Sequence, residues 1–261
     1  NKNSLVEKEW QKYLNENQDV LKQQTEMLSD QYRESFKDSN GTLYLVGIDP
    51  YYYYRQTYYV LHNGYPGSDM KDGMPWDYYR LAPLGREAEW NFHHWFGAVW
   101  HKLLNLFGDF PLMFTFFFVG TIFSALTVIP AFFIGKRITK NNVGGFFTAL
   151  LIAVSAFFVS RTTGESSDTD VYAVFFPVLI AWLFIESVEA KEKKWKFAWI
   201  AAAGFATGVF AFAWTGWWYI ATFILATMIF QLGYLVLTHW KALFQTVKSK
   251  IITEPLSVLG T

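Results

Sequence analysis

The 261-residue chain contains no cysteine. That absence excludes disulfides, thiolate metal sites and a cysteine nucleophile, and it leaves the compartment open. Net charge is absent as well: Lys plus Arg and Asp plus Glu each number 22, so no global charge points to nucleic acid or to an acidic partner. The opening NKNSLVEKEW has neither an initiator Met nor the apolar stretch of a secretory leader. The expectation is an excised piece whose upstream membrane anchor is missing.

What the chain has in quantity is apolar surface, with 52% hydrophobic and 20% aromatic residues. These fall in long blocks, the signature of an all-α polytopic membrane protein. Charge-free stretches at 111–135, 143–160, 171–185, 197–214 and 217–237 approach the ~20 residues that cross a bilayer core. Five spans are expected. The division that follows is an amphipathic helix over 1–40, a first loop with interfacial helices over 41–110, five transmembrane helices over 111–238, and a segment over 239–261 leading to a further span.

Loop charges set the expected topology. Lys136, Arg137 and Lys140 follow the first span, Lys191, Lys193, Lys194 and Lys196 follow the third, and THWKALFQTVKSK follows the fifth. By the positive-inside rule these loops are cytoplasmic. RTTGESSDTD, the short Thr215-Gly216 turn and everything before Pro111 then face outward, which places Asp49 on the same side as Asp168 and Asp170.

The sequence SRTTGESSDTDVY concentrates Glu165, Asp168 and Asp170 just before an apolar run. In an extended segment residues two apart project the same way, and paired carboxylates offer hard divalent ions such as Mg²⁺ or Mn²⁺ the oxygen ligands they prefer. The competing explanation is helix capping, which needs only one Asp. Asp49 in Asp-Pro has its own structural explanation as a turn or helix start, and Arg161 has one as a headgroup anchor.

Other features carry expectations of their own. Residues 4–36 read as one amphipathic helix opened by the capping box Ser4-x-x-Glu7. GTLYLVGIDP reads as extended around Ile48 and becomes helical after Pro50; MKDGMPWDYYRLAPLGRE reads as an irregular loop. WNFHHWFGAVWHKLLNLFG suits an interfacial helix, with His93, His94 and His101 at the headgroups in preference to a metal. Gly204-x-x-x-Gly208 suggests close helix packing, and Trp214, Trp217 and Trp218 an outer aromatic belt. Asn40-Gly41-Thr42 is an acceptor sequon for glycosylation.

GIDPYYYYRQTYYVLHNGYPG, followed by SRTTGESSDTDVY, resembles the catalytic subunit of oligosaccharyltransferases, with the Asp-Thr-Asp variant most similar to the archaeal AglB type. The resemblance covers residues 41 to about 240. It implies a GT-C type glycosyltransferase transmembrane domain with a long first extracytoplasmic loop. It also implies transfer of an oligosaccharide from a dolichyl phosphate or diphosphate carrier to the Asn of Asn-x-Ser/Thr, metal-dependent and inverting. The implied partners are the lipid-linked oligosaccharide donor, a sequon-containing acceptor polypeptide and the lipid bilayer, without nucleic acid. By motif, Asp49 matches the acid that binds the metal and contacts the acceptor amide, and Asp168 and Asp170 match further ligands for Mn²⁺ or Mg²⁺. Arg161, with Arg86 as a second candidate, matches a contact to the donor phosphate. The implied location is the cell membrane, multi-pass, with the site facing the extracellular side. The family's later glutamate loop and its Trp-Trp-Asp-Tyr-Gly motif are not in this sequence, so the expected site is catalytically incomplete alone.

Two other functions compete. A protein O-mannosyltransferase of the same general fold normally pairs two acids in its first loop, whereas here Asp49 is followed by Pro50. An ion-coupled transporter would place its acids mid-span, whereas these stand at span ends.

Overall fold

The computed structural model describes residues 2–39 and 41–253. It divides into two compact units, Asn1–Ile122 with Val159–Asp168, and Phe123–Phe158 with Thr169–Thr261. Asn40 of the sequon lies outside the described residues.

The first unit opens with α1 (Lys2–Glu16) and α2 (Gln18–Ser35) in place of one long helix. Asn17 separates them at φ −114°, ψ 17°. Its amide donates to the Tyr13 carbonyl at 2.9 Å, a side-chain competitor for the backbone of the kind that breaks helices. Helix α1 begins ahead of Ser4. No residue of α2 is buried.

An isolated bridge joins Lys37 and Leu43, and the chain then enters α3 (Ile48–Asn63) through Gly47 at φ 91°. Pro50 falls in the first turn, where its missing N–H costs nothing. The segment expected to be irregular is instead a small antiparallel sheet: β1 (Asp69–Lys71), β2 (Met74–Asp77) and β3 (Arg86–Glu87), in that order. Asp72 and Gly73 connect the first two strands, both at positive φ (54° and 80°), the two-residue turn that Asp-Gly favours because its twist matches that of the strands. The fold is therefore mostly rather than wholly helical.

Helix α4 (Phe92–Leu104) is capped by Asn91, whose side chain accepts from the His93 N–H at 2.8 Å, worth ~1 kcal/mol for a typical cap. Helix α5 (Leu112–Thr139) then begins, and its first turns complete the core of the unit. Leu45, Phe116 and Val119 are buried there, with Tyr53, Tyr54, Phe96 and Trp100 packed around them.

In the second unit α5 continues past Phe123. The helices α8 (Tyr172–Glu189), α9 (Lys193–Ala213) and α10 (Trp218–Thr253) follow, α10 kinking at His239. Among the described residues four stretches, Leu112–Thr139, Thr169–Glu189, Lys193–Ala213 and Trp218–Trp240, are long and apolar enough to cross a membrane. Their interior packs ring on ring, Phe123 against Tyr172 at 5.0 Å and Phe176 against Phe210 at 5.4 Å. Phe205, Phe223 and Phe230 point outward and stay exposed, as a surface solvated by lipid requires.

The span expected over 143–160 is divided into α6 (Asn142–Ala153) and α7 (Ala156–Arg161). At 1.5 Å per residue a 12-residue helix reaches only ~18 Å. The break falls at Val154-Ser155, where the Ser155 N–H closes a tighter turn onto Ile152 at 3.1 Å; a β-branched residue followed by Ser is a weak point in a helix. The close helix packing expected at Gly204 and Gly208 is not found: a Cβ on either would meet nothing within 4 Å. Gly145 holds that role instead, since a Cβ there would stand 2.8 Å from the Phe132 carbonyl oxygen.

Candidate active site

Asp49 is the second residue of α3, exposed in its first turn. A carboxylate there faces the unpaired N–H groups and the positive end of the helix. The approach to α3 is fixed from outside: the Val46 N–H donates to the Glu165 carbonyl at 2.8 Å. Val46 precedes Asp49 by three residues and Glu165 precedes Asp168 by three. One hydrogen bond thus ties the approach to Asp49 to the loop that leads to Asp168 within the first unit.

The second motif is itself pinned to α5. The Ser167 hydroxyl, fully buried, donates to the Phe116 carbonyl at 2.9 Å. A Cβ on Gly120 would meet the Ser167 Cα at 3.6 Å, and one on Gly164 would run into the Phe117 ring. The Gly120 approach is ordinary van der Waals contact, whereas glycine at 164 is what lets the loop lie directly on the helix.

The expected extended run through Asp168 and Asp170 is not what forms. Short 3-10 turns occupy Gly164–Ser166 and Thr169–Val171, with Asp170 inside the second. At three residues per turn, positions two apart no longer project together. The position directly before α8 is Val171, whose own side chain makes no cap bond. Arg161 closes α7. Arg86 sits on β3, 3.9 Å from the Glu89 carboxylate. Among the described residues no three His, Cys, Asp or Glu side chains form a cluster able to hold a metal.

Sequence reasoning missed the framework that holds α3. Asp77, wholly buried, accepts from Arg55 Nη2 at 2.6 Å and Gln56 Nε2 at 2.7 Å. Gln56 Oε1 in turn accepts from the Gly67 N–H at 2.7 Å. Nothing periodic in the sequence signals these contacts.

The histidines are also placed differently from the headgroup expectation. His93 and His94 are fully buried against the Tyr53 ring at 5.2 and 5.5 Å. Burial in apolar surroundings pushes both down to about 3, opposed at His93 by a hydrogen bond to the Ser167 backbone. Both are neutral. Burial likewise lifts the Tyr52 hydroxyl to about 12 against the opposing pull of Arg80, so it remains a neutral hydrogen-bonding group.

The family model for oligosaccharyl transferase STT3, N-terminal, matches residues 20–254. A dolichyl-phosphooligosaccharide-protein glycotransferase of Methanococcus voltae is 31% identical over 248 residues, covering 89% of this chain and 27% of the relative. The oligosaccharyltransferase AglB of Archaeoglobus fulgidus, solved with an inhibitory peptide and a dolichol-phosphate, superposes with a TM-score of 0.60 at 22% identity over 72% of this chain and 22% of that one. Its structure with Zn and sulfate gives 0.62 at 22% identity, over 72% of this chain and 24% of that one. The present chain spans about a quarter of these relatives' length. The structural likeness establishes the fold, a GT-C membrane fold. The match across nearly all of its length makes this chain a member of the oligosaccharyl transferase STT3 N-terminal family.

Proposed function

We propose that this chain is the membrane part of an enzyme of protein N-glycosylation, transferring an oligosaccharide from a dolichyl phosphate or diphosphate carrier to the Asn of Asn-x-Ser/Thr. The observation that supports the reading is the Val46–Glu165 bond, which anchors the approach to Asp49 on the loop that leads to Asp168. The donor and acceptor partners are assigned by kinship with the Methanococcus relative and with the Archaeoglobus protein bound to dolichol-phosphate and peptide.

Asp49, Asp168 and Asp170 are three carboxylates in a chain without thiolates, a donor set that suits Mn²⁺ or Mg²⁺. Carboxylates repel one another unless a cation stands between them, so in this reading the ion and its ligand cluster assemble together. When bound, the ion supplies Lewis-acid stabilisation of the departing lipid phosphate.

The chain's own residues do the rest. Amide resonance, the source of the ~18–20 kcal/mol barrier to peptide-bond rotation, makes an Asn side chain a poor nucleophile. Asp49 accepts an N–H bond from that side chain and so draws its lone pair out of conjugation. Arg161, with Arg86 as a second candidate, places positive charge where the phosphate leaves. Direct displacement at the sugar carbon inverts its configuration. The site faces the exterior, because the Lys/Arg-rich turns alternate with the acidic loop along the chain.

The test uses the full-length protein containing this chain, a lipid-linked oligosaccharide and a fluorescent sequon peptide. Transfer that requires Mn²⁺ or Mg²⁺ and vanishes when the acceptor Asn is replaced by Gln supports the reading. Transfer at an unchanged rate after chelation contradicts it.

A further inference from the structure

At the end of the spans that bears the Lys/Arg-rich turns, α5, α8 and α9 line a half-open cavity of about 560 Å³ within the second unit. Its walls are Phe133, Trp182 and Trp199 together with Lys136, Arg137, Lys140 and Glu186. The three aromatics form one surface: Phe133 stacks on Trp182 at 4.8 Å, and Trp182 meets Trp199 at 5.9 Å.

The polar side is built in two layers. Glu186 is mostly buried and accepts from Arg137 through two nitrogens, Nε at 3.1 Å and Nη2, and from Trp182 Nε1 at 3.2 Å. That arrangement fixes the guanidinium and the indole in place. Lys136 and Lys140 have no ion-pair partner among the described residues and remain exposed at the rim. Three cations against one carboxylate leave the lining with excess positive charge; Glu189, within electrostatic reach of Arg137, is not part of it.

We propose that this cavity binds the phosphate headgroup of an anionic membrane lipid. The position favours a lipid over a soluble phosphate ester. The cavity lies among membrane-crossing helices at the level of their basic ends, where lipid phosphates stand, and its aromatic wall offers a surface for the glycerol backbone and upper chain. Lys136 and Lys140 supply mobile donors to phosphate oxygens, while the pre-oriented Arg137 adds a fixed one. The volume falls in the range of small-molecule sites. The inference is independent of the transfer reaction.

The chain is titrated in detergent with phosphatidylglycerol, with phosphatidylcholine and with glycerol 3-phosphate, and bound ligands are counted by native mass spectrometry. The parent is expected to retain phosphatidylglycerol in preference to phosphatidylcholine. The double variant Lys136→Gln/Lys140→Gln is expected to weaken that binding about 30-fold, taking the contribution of each lysine near a lipid surface. Lys191→Gln/Lys193→Gln, on a basic turn outside the cavity, is expected to leave it unchanged. Equal loss in both double variants would mean diffuse surface attraction and overturn the proposal. Glycerol 3-phosphate binding as tightly as the lipid would overturn the lipid assignment, as would phosphatidylcholine binding equal to that of phosphatidylglycerol.

Discussion

The backbone N–H of Val46 lies 2.8 Å from the carbonyl oxygen of Glu165, joining positions more than a hundred residues apart. Neither is one of the acids proposed to hold the metal, yet each stands three residues ahead of one. A backbone bond survives most side-chain changes, so the tie depends on the two segments being pressed together by their surroundings. Ser167 and Gly164 provide that pressure.

Gly164→Ala tests it. The added methyl meets the Phe117 ring, and overpacking of a tight contact costs about 1–3 kcal/mol. The variant is expected to unfold at lower temperature and to lose transfer activity in the full-length protein. Gly164→Ala combined with Phe117→Leu is expected to recover part of both, since the smaller side chain makes room.

Asp77 is the anchor of the α3 framework. Asp77→Ala leaves Arg55 and Gln56 without their shared acceptor, and removing one partner of a buried pair costs about 3–5 kcal/mol. Arg55 is one-third exposed, so water offsets part of this and the lower end is expected. Thermal or denaturant unfolding in detergent measures it; a change below about 0.5 kcal/mol, the range of ordinary surface substitutions, would contradict the assignment.

Much of this was legible in the residues. Apolar runs of span length announce themselves because the bilayer leaves the chain few alternatives, and four of five became long helices. The break at Val154-Ser155 was not, since composition in that run stays apolar throughout and the fault is local. The hairpin at Asp72-Gly73 carried a readable turn signal, hidden by flanking strands of three and four residues. His93 and His94 looked interfacial because tryptophans surround them in sequence; their burial depends on Tyr52 and Tyr53, 40 positions upstream, which only the fold brings near. The pairing of Asp77 with Arg55 is of the same kind.

The buried histidines make stability depend on pH. Their folded values, about 3, lie below the unfolded ~6.5, so below about pH 6.5 the unfolded chain binds more protons than the native one. Stability is full above that pH and falls as pH drops from ~6.5 toward 3. His94→Phe removes one such proton. Its unfolding temperature is expected to decline less steeply than the parent's between pH 7 and 5, by up to ~1.4 kcal/mol per pH unit in the underlying free energy. Parallel curves would contradict the buried neutral state.

Sidedness is open to direct labelling because the chain has no cysteine. Thr215 and Asn142 are both exposed at opposite ends of the expected topology. An impermeant maleimide on intact cells is expected to modify Thr215→Cys and spare Asn142→Cys. The reverse pattern would invert the proposed orientation.

The central claim is that Asp49 and Asp168, brought into one unit by the Val46–Glu165 tie, serve one metal-dependent site. Its most direct test is the transfer rate of the full-length enzyme carrying Asp49→Asn, Asp168→Asn, and both, with lipid-linked oligosaccharide, sequon peptide and saturating Mn²⁺. Residues that act as a unit are strongly non-additive. Each single change is therefore expected to lower the rate by ~10²–10³-fold, the usual scale for losing one electrostatic contact to a transition state, and the double change to cost little beyond the worse single. Parental rates in either single variant, or a double variant whose loss is the product of the two, would contradict a shared site.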